Sequence, residues 1–306
     1  MNNSIQYNFL KKMPVVILLI MVTTSLLFAD NLKLIREKSF SMKDWQNVYV
    51  NASGADVKVE SWDKQEVYVK IFANSRAESK MRFDIYQEGD VVRVIAKKRG
   101  STFSWFGNNL SVRIEVMTPK NFNPHVETSG GDVNVKNLVG DFKLDTSGGD
   151  ITLINTNGKL KAETSGGDIT LNKHKGIMSL STSGGDIKCE ETNGDLHAET
   201  SGGNINIDLT DGKLLAETSG GDIAINYTGS NKGIEASTTG GDIRIKLPAD
   251  FNAKVHLETS GGEISNSFSN SKSERARRSE LDAEFNGGGG VLKLETTGGD
   301  IIVSQK

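Results

Sequence analysis

One tetrapeptide returns along this chain at a fixed interval. Thr-Ser-Gly-Gly begins at Thr128, Thr146, Thr164, Thr182, Thr200 and Thr218, and each copy starts 18 residues after the last. Looser copies follow at Thr238, Thr259 and Thr296, after steps of 20, 21 and 37 residues. A strict period restricts a fold severely, because every unit must meet its neighbours in the same way.

The interior of the repeat says what each unit is. Paired aliphatics follow each corner two residues apart: Ile151 and Leu153, Ile169 and Leu171, Ile187 and Cys189, Ile205 and Ile207. A second pair precedes each Thr, as in Leu160 and Ala162 or Leu196 and Ala198. A spacing of two is strand alternation with one face buried. A further glycine opens that half at Gly140, Gly158, Gly176, Gly194 and Gly212, so each unit divides into two short strands and two turns. Identical residues at each copy favour stacked coils over separate hairpins. The expected fold is therefore all-β: a single-stranded right-handed β-helix, or β-solenoid, with about 18 residues per coil. Ile187 is expected to be buried between Ile169 and Ile205.

The rest of the chain falls into three parts. Residues 13–29 are uncharged and apolar, follow Lys11 and Lys12, and end at Ala29. That is the pattern of a signal peptide over residues 1–29, with an uncleaved anchor as the alternative. Residues 30–125 carry longer alternating strands and a degenerate unit at Ser53–Val59, and read as an irregular N-terminal part of the same solenoid. Residues 126–306 are the regular repeats, with a polar insertion at 265–290 in which a short helix is possible near Lys272–Glu284. The expected location is the periplasm, the cell surface or the exterior.

Composition removes several classes. The 306 residues include 33 Gly but only 4 Pro and no Gly-X-Y period, so collagen is excluded. One cysteine cannot build a disulfide framework. A net charge of −3 argues against nucleic acid as partner.

Three stretches resemble a bacterial "putative adhesin" family of unknown function, whose domains look like autotransporter adhesin heads. They are VYVNASGADVKVESWDKQEVYVK near the start, the TSGGDI units, and FNGGGGVLKLETTGGDIIV at 285–303. The resemblance implies a right-handed β-helix, export to the envelope and no established catalytic residues.

The repeat also aligns acidic side chains. Asp132, Asp150, Asp168, Asp186, Asp222, Asp242 and Asp300 follow the glycines, with Asn204 and Glu263 as variants. A stacked row of carboxylates suggests cation binding, but the nine-residue GGxGxD calcium repeat is absent. Corner chemistry, with each Asp capping turn amides, is the expected role. No catalytic, cofactor-binding or metal-ligating residues are expected. Carboxylates in nearly every coil look structural, and catalysis needs a unique constellation. His125, His197 and His256 share one outward position, and Cys189 reads as a small core residue.

Phe103, Trp105 and Phe106, after the basic run Lys97–Arg99, form a concentrated aromatic cluster on an expected hairpin tip. They are the candidate contact for a membrane surface or protein partner, with a cap on the solenoid end as the alternative. The expected function is a non-enzymatic, adhesin-like scaffold or binding surface in the cell envelope. A carbohydrate-active enzyme and an envelope-stress signalling accessory are the alternatives. The partner, an envelope protein or a polysaccharide, is unknown from sequence. Repeated coils suit an extended, repetitive ligand.

Overall fold

The structure, a computed structural model, describes residues 32–99, 110–269 and 271–306, without the side chains of 274–276. Among the described residues are 25 strands and one short helix, Ser75–Lys80, begun by the Asn74 side chain accepting the Ala77 N–H. The fold is all-β and β-solenoid-like.

The strands lie in two ladders that share one core. The first holds the segments after the Gly-Gly corner, and the second holds those before the next Thr. In the first, Ile151 stands opposite Ile169, Ile169 opposite Ile187, and Ile187 opposite Ile205, all parallel. In the second, Leu160 stands opposite Met178, Met178 opposite Leu196, and Leu196 opposite Leu214. Two long strands, Ile151–Glu163 and Ile169–Thr182, run round the second corner and join both ladders. Ile187 is fully buried between its predicted neighbours. Each such side chain gains about 1.5–3 kcal/mol from burial, but only when a neighbouring rung covers it.

Two corners allow this close stacking. At Gly167, a Cβ would lie 2.0 Å from the carbonyl oxygen of Gly149 in the rung before. At Gly176, φ is 139° and a Cβ would lie 2.0 Å from the Gly158 oxygen, so conformation and space both demand glycine. The corner threonines point inward. Thr164 donates its hydroxyl to Gly149 O at 3.0 Å and accepts the Gly167 N–H at 3.3 Å.

The rungs do not all follow chain order. Strand Gly290–Thr296 pairs with Ile234–Thr238 on one side and Ala253–Thr259 on the other. Thr296 therefore lies between Thr238 and Thr259, although it comes last in sequence. The same happens at the opposite end. Strand Asn47–Ala52 lies between Val91–Lys98 and Asn123–Thr128, and Ala55–Ser61 lies between Val112–Thr118 and Val133–Lys136. This corrects the expectation that each coil stacks on the one before. The physical gain is that the first and last rungs are covered on both sides.

Antiparallel strands close both ends. Lys33–Ser41 pairs with Glu66–Ala73, which pairs with Val112–Thr118, and Met81–Glu88 pairs with Val91–Lys98. At the far end, Ala253–Thr259 meets Glu280–Phe285, which meets Ser271–Ala276. The possible helix near 272–284 is thus a strand pair. Leu281, Ala283 and Phe285 alternate into the core, and Phe268 stacks on Phe285 at 4.4 Å; that period of two overrides helical propensity. The outermost strands carry several charges, which discourages further edge pairing.

Candidate functional site

The acidic row is present, and its oxygens are engaged. Asp132 Oδ1 accepts the Asp150 N–H at 3.0 Å, and Asp150, Asp168, Asp222, Asp242 and Asp300 each do the same for the next rung at 2.7–2.8 Å. Asp186 Oδ1 accepts the Asn204 N–H at 2.7 Å, and Asn204 Oδ1 accepts the Asp222 N–H at 2.9 Å. An amide oxygen serves here as well as a carboxylate, which explains Asn204.

Phe103, Trp105 and Phe106 lie outside the described residues. The strands on either side, Val91–Lys98 and Val112–Thr118, pair with strands of different ladders. Among the described residues they do not pair with each other.

His125, His197 and His256 do occupy one outward column. His174 does not. It is buried at the inner corner, where its Nε2–H faces Gly158 O at 3.2 Å and its Nδ1 accepts the Thr156 hydroxyl at 2.8 Å. Burial pushes its pKa down to about 4. Cys189 is enclosed between Leu171 and Ile207, and burial raises its thiol to about 12, so it is inert.

The outward column of the second ladder builds a different feature. Arg93 stands opposite Tyr49, Tyr49 opposite His125, His125 opposite Lys143, and Lys143 opposite Lys161. These five side chains occupy successive strands, a run of roughly 19 Å. They line an open groove of about 740 Å³, with Asn123, Asp141 and Lys159 along its edge. The Arg93 guanidinium lies over the Tyr49 ring at 5.4 Å, and the His125 ring meets it edge-on at 4.8 Å.

A flanking acidic column tunes the groove. Tyr49 donates its hydroxyl to Glu127 Oε2 at 2.8 Å, and Lys161 meets Glu163 at 2.8 Å. Burial acts to raise the Glu127 carboxyl, but Tyr49 and His125 outweigh it and hold it below the usual range. Burial, then the nearby Glu163, raises that of Asp145. His125 Nε2 lies 2.9 Å from Glu127 Oε1 without hydrogen-bond alignment, and this buried atom has no hydrogen-bond partner. Lys143 and Lys159 form no ion pair among the described residues. The groove therefore offers cations and an aromatic face.

Residues 45–304 match one family over most of the chain. The chain belongs to the Toastrack DUF4097 family. No curated protein matches it. Among solved structures, a putative adhesin from Bacteroides fragilis is 15% identical, with a TM-score of 0.46 over 89% of this chain and 97% of that one. A putative adhesin from Parabacteroides distasonis is 15% identical, with a TM-score of 0.42 over 89% and 96%. A protein of that organism named as a putative lipid binding protein is 13% identical, with a TM-score of 0.40 over 88% and 96%.

Within this Toastrack domain, half of the groove was open to sequence reasoning. His125, Lys143 and Lys161 are 18 residues apart and so fall in one column of the repeat. Tyr49 and Arg93 have no such signal, because their rungs join the stack out of chain order.

Proposed function

We propose that this Toastrack domain is an exported, non-enzymatic binding scaffold of the cell envelope. It is read as a right-handed, single-stranded solenoid with about 18 residues per coil, with its first and last rungs tucked inward. Its groove takes an extended anionic polysaccharide. The row Arg93–Tyr49–His125–Lys143–Lys161 carries the reading. A cation or ring on each of five adjacent strands matches a polymer with repeated carboxylate groups, at a spacing similar to that of successive sugar rings. The aromatic face of Tyr49 suits stacking on such a ring.

The non-enzymatic reading is supported by the corner carboxylates, which accept backbone amides and are not paired for acid–base work. The apolar run at 13–29 supports export. The test is retention of purified protein on immobilised polygalacturonate or alginate, with neutral dextran as control. Retention on the acidic polymers that salt reverses is expected. Equal retention on dextran, or none on any polymer, contradicts the reading. Release of reducing ends from the acidic polymers would favour a carbohydrate-active enzyme instead.

A further inference from the structure

A second cluster lies on the same outward face, at the far end of the solenoid. His256 and Glu258 project from strand Ala253–Thr259, and Glu295 projects from Gly290–Thr296, directly opposite Glu258. His256 Nε2 lies 3.7 Å from Glu258 Oε2 and 3.9 Å from Glu295 Oε1. The three ligand atoms all fall within 4.8 Å of one another.

Two of the three ligands are oriented from behind. Asp282 Oδ1 accepts the Nδ1–H of His256 at 2.7 Å. That bond engages Nδ1 and leaves Nε2 as the ring nitrogen that faces both glutamates. Lys293 Nζ holds Glu295 Oε2 at 2.9 Å, so Oε1 is the oxygen turned toward His256. A carboxylate behind the imidazole is the usual support of a metal-bound histidine.

Two more features set this place apart from the Lys–Glu pairs elsewhere on the face. Glu258 stands directly opposite Glu295 on one neighbouring strand and opposite Glu280, which Arg277 meets at 3.8 Å, on the other. Like charges placed directly opposite are unfavourable in a sheet. Beside them opens a cavity of about 270 Å³ whose lining residues are all Ser, Thr or Glu, including Ser237, Ser260 and Thr297. It is a polar space beside the two glutamates that face His256.

We propose that His256, Glu258 and Glu295 bind one divalent transition-metal ion of the zinc type, with the polar cavity leaving a coordination position for water. One nitrogen and two carboxylate oxygens are a suitable donor set. Tetrahedral bonds to zinc would set the ligand atoms about 3.4 Å apart, so each His256–glutamate distance need shorten by no more than about 0.5 Å and the two carboxylate oxygens need approach by at most about 1.4 Å, within reach of side-chain rotation. The ion joins Gly290–Thr296, the last rung in sequence, to Ala253–Thr259, the rung it is tucked against. It neutralises the opposed glutamates and locks the out-of-order end of the stack.

The test uses purified, chelator-treated protein titrated with zinc chloride, read by calorimetry and by thermal melting. One zinc per chain and a raised melting temperature are expected, while calcium and magnesium give no comparable shift. His256→Ala and the near-isosteric Glu295→Gln should each weaken that binding at least about tenfold, and Asp282→Asn about 10–100-fold. His197→Ala, in the same column but distant, should leave it unchanged. Absence of saturable binding overturns the proposal. So does zinc binding that survives both His256→Ala and Glu295→Gln in folded protein, or binding lost equally in His197→Ala.

Discussion

Asp168 Oδ1 accepts the backbone N–H of Asp186, one rung further on, at 2.8 Å. The Asp168 N–H is itself held by Asp150 at 2.8 Å. Each corner carboxylate thus replaces the partner that a turn amide would otherwise find in water. Asp168→Asn keeps the acceptor and should change stability little, as Asn204 already illustrates. Asp168→Ala removes it and should cost about 1 kcal/mol. Calcium at millimolar concentration should not raise the melting temperature through this row. Chemical denaturation of both variants, with and without calcium, checks all three outcomes. A calcium-dependent rise lost in Asp168→Asn would make the row a cation site.

The two glycines of each corner have unequal roles. A Cβ on Gly166 would meet nothing closer than 3.8 Å, whereas one on Gly167 would sit 2.0 Å from the Gly149 oxygen. Gly166→Ala should therefore be nearly neutral. Gly167→Ala should force adjacent rungs apart and cost more than about 3 kcal/mol, or prevent folding. Urea melts of the pair separate the two.

Chain order and rung order differ, and a cross-link can show it. Glu235 stands opposite Lys293, and Lys293 opposite His256, so Glu235 and His256 are two strands apart, roughly 9.6 Å. Glu235→Cys with Lys293→Cys should oxidise to a disulfide. Glu235→Cys with His256→Cys should not, being beyond disulfide reach. Cys189, buried with its thiol raised to about 12, should not interfere. Mass spectrometry after mild oxidation reads the result, and sequential stacking would reverse it.

The regular middle was legible because an 18-residue period and a two-residue alternation say the same thing from Thr128 to Thr218. Ile169, Ile187 and Ile205 fall where that register puts them. The corner role of the aspartates was legible from their place after Gly-Gly. The tucked rungs were not, since the step from Thr259 to Thr296 carries no mark of which neighbour Thr296 will choose. The strands around 271–285 were hidden by their charges, which here mark a sheet edge. The groove was half visible in the 18-residue spacing of His125, Lys143 and Lys161. Tyr49 and Arg93 reach it only through long-range pairing.

His174 gives the fold a defined response to acid. Its pKa falls from 6.5 in the open chain to about 4 in the folded one, because burial disfavours the imidazolium. Between those values the unfolded chain binds more protons, so stability rises with pH. This contribution is complete above about pH 7, declines as pH drops through 6.5, and levels off only below about 4, for a total on the order of 3 kcal/mol. His174→Gln should lower stability at pH 7 and flatten the pH dependence across that window. Urea melts at pH 7, 5.5 and 4.5 test it; an unchanged slope in the variant would place the acid sensitivity elsewhere.

The central claim is that the groove of Arg93, Tyr49, His125, Lys143 and Lys161 binds an acidic polymer. Its most direct measurement is a calorimetric titration with oligogalacturonate at two salt concentrations. Wild type should bind, and more weakly at the higher salt. Lys143→Glu with Lys161→Glu should weaken binding by about tenfold or more at an unchanged melting temperature. Lys188→Glu, at an exposed position on a strand of the other ladder, should bind as wild type. Binding that is equal in all three proteins, or that ignores salt, would contradict the account.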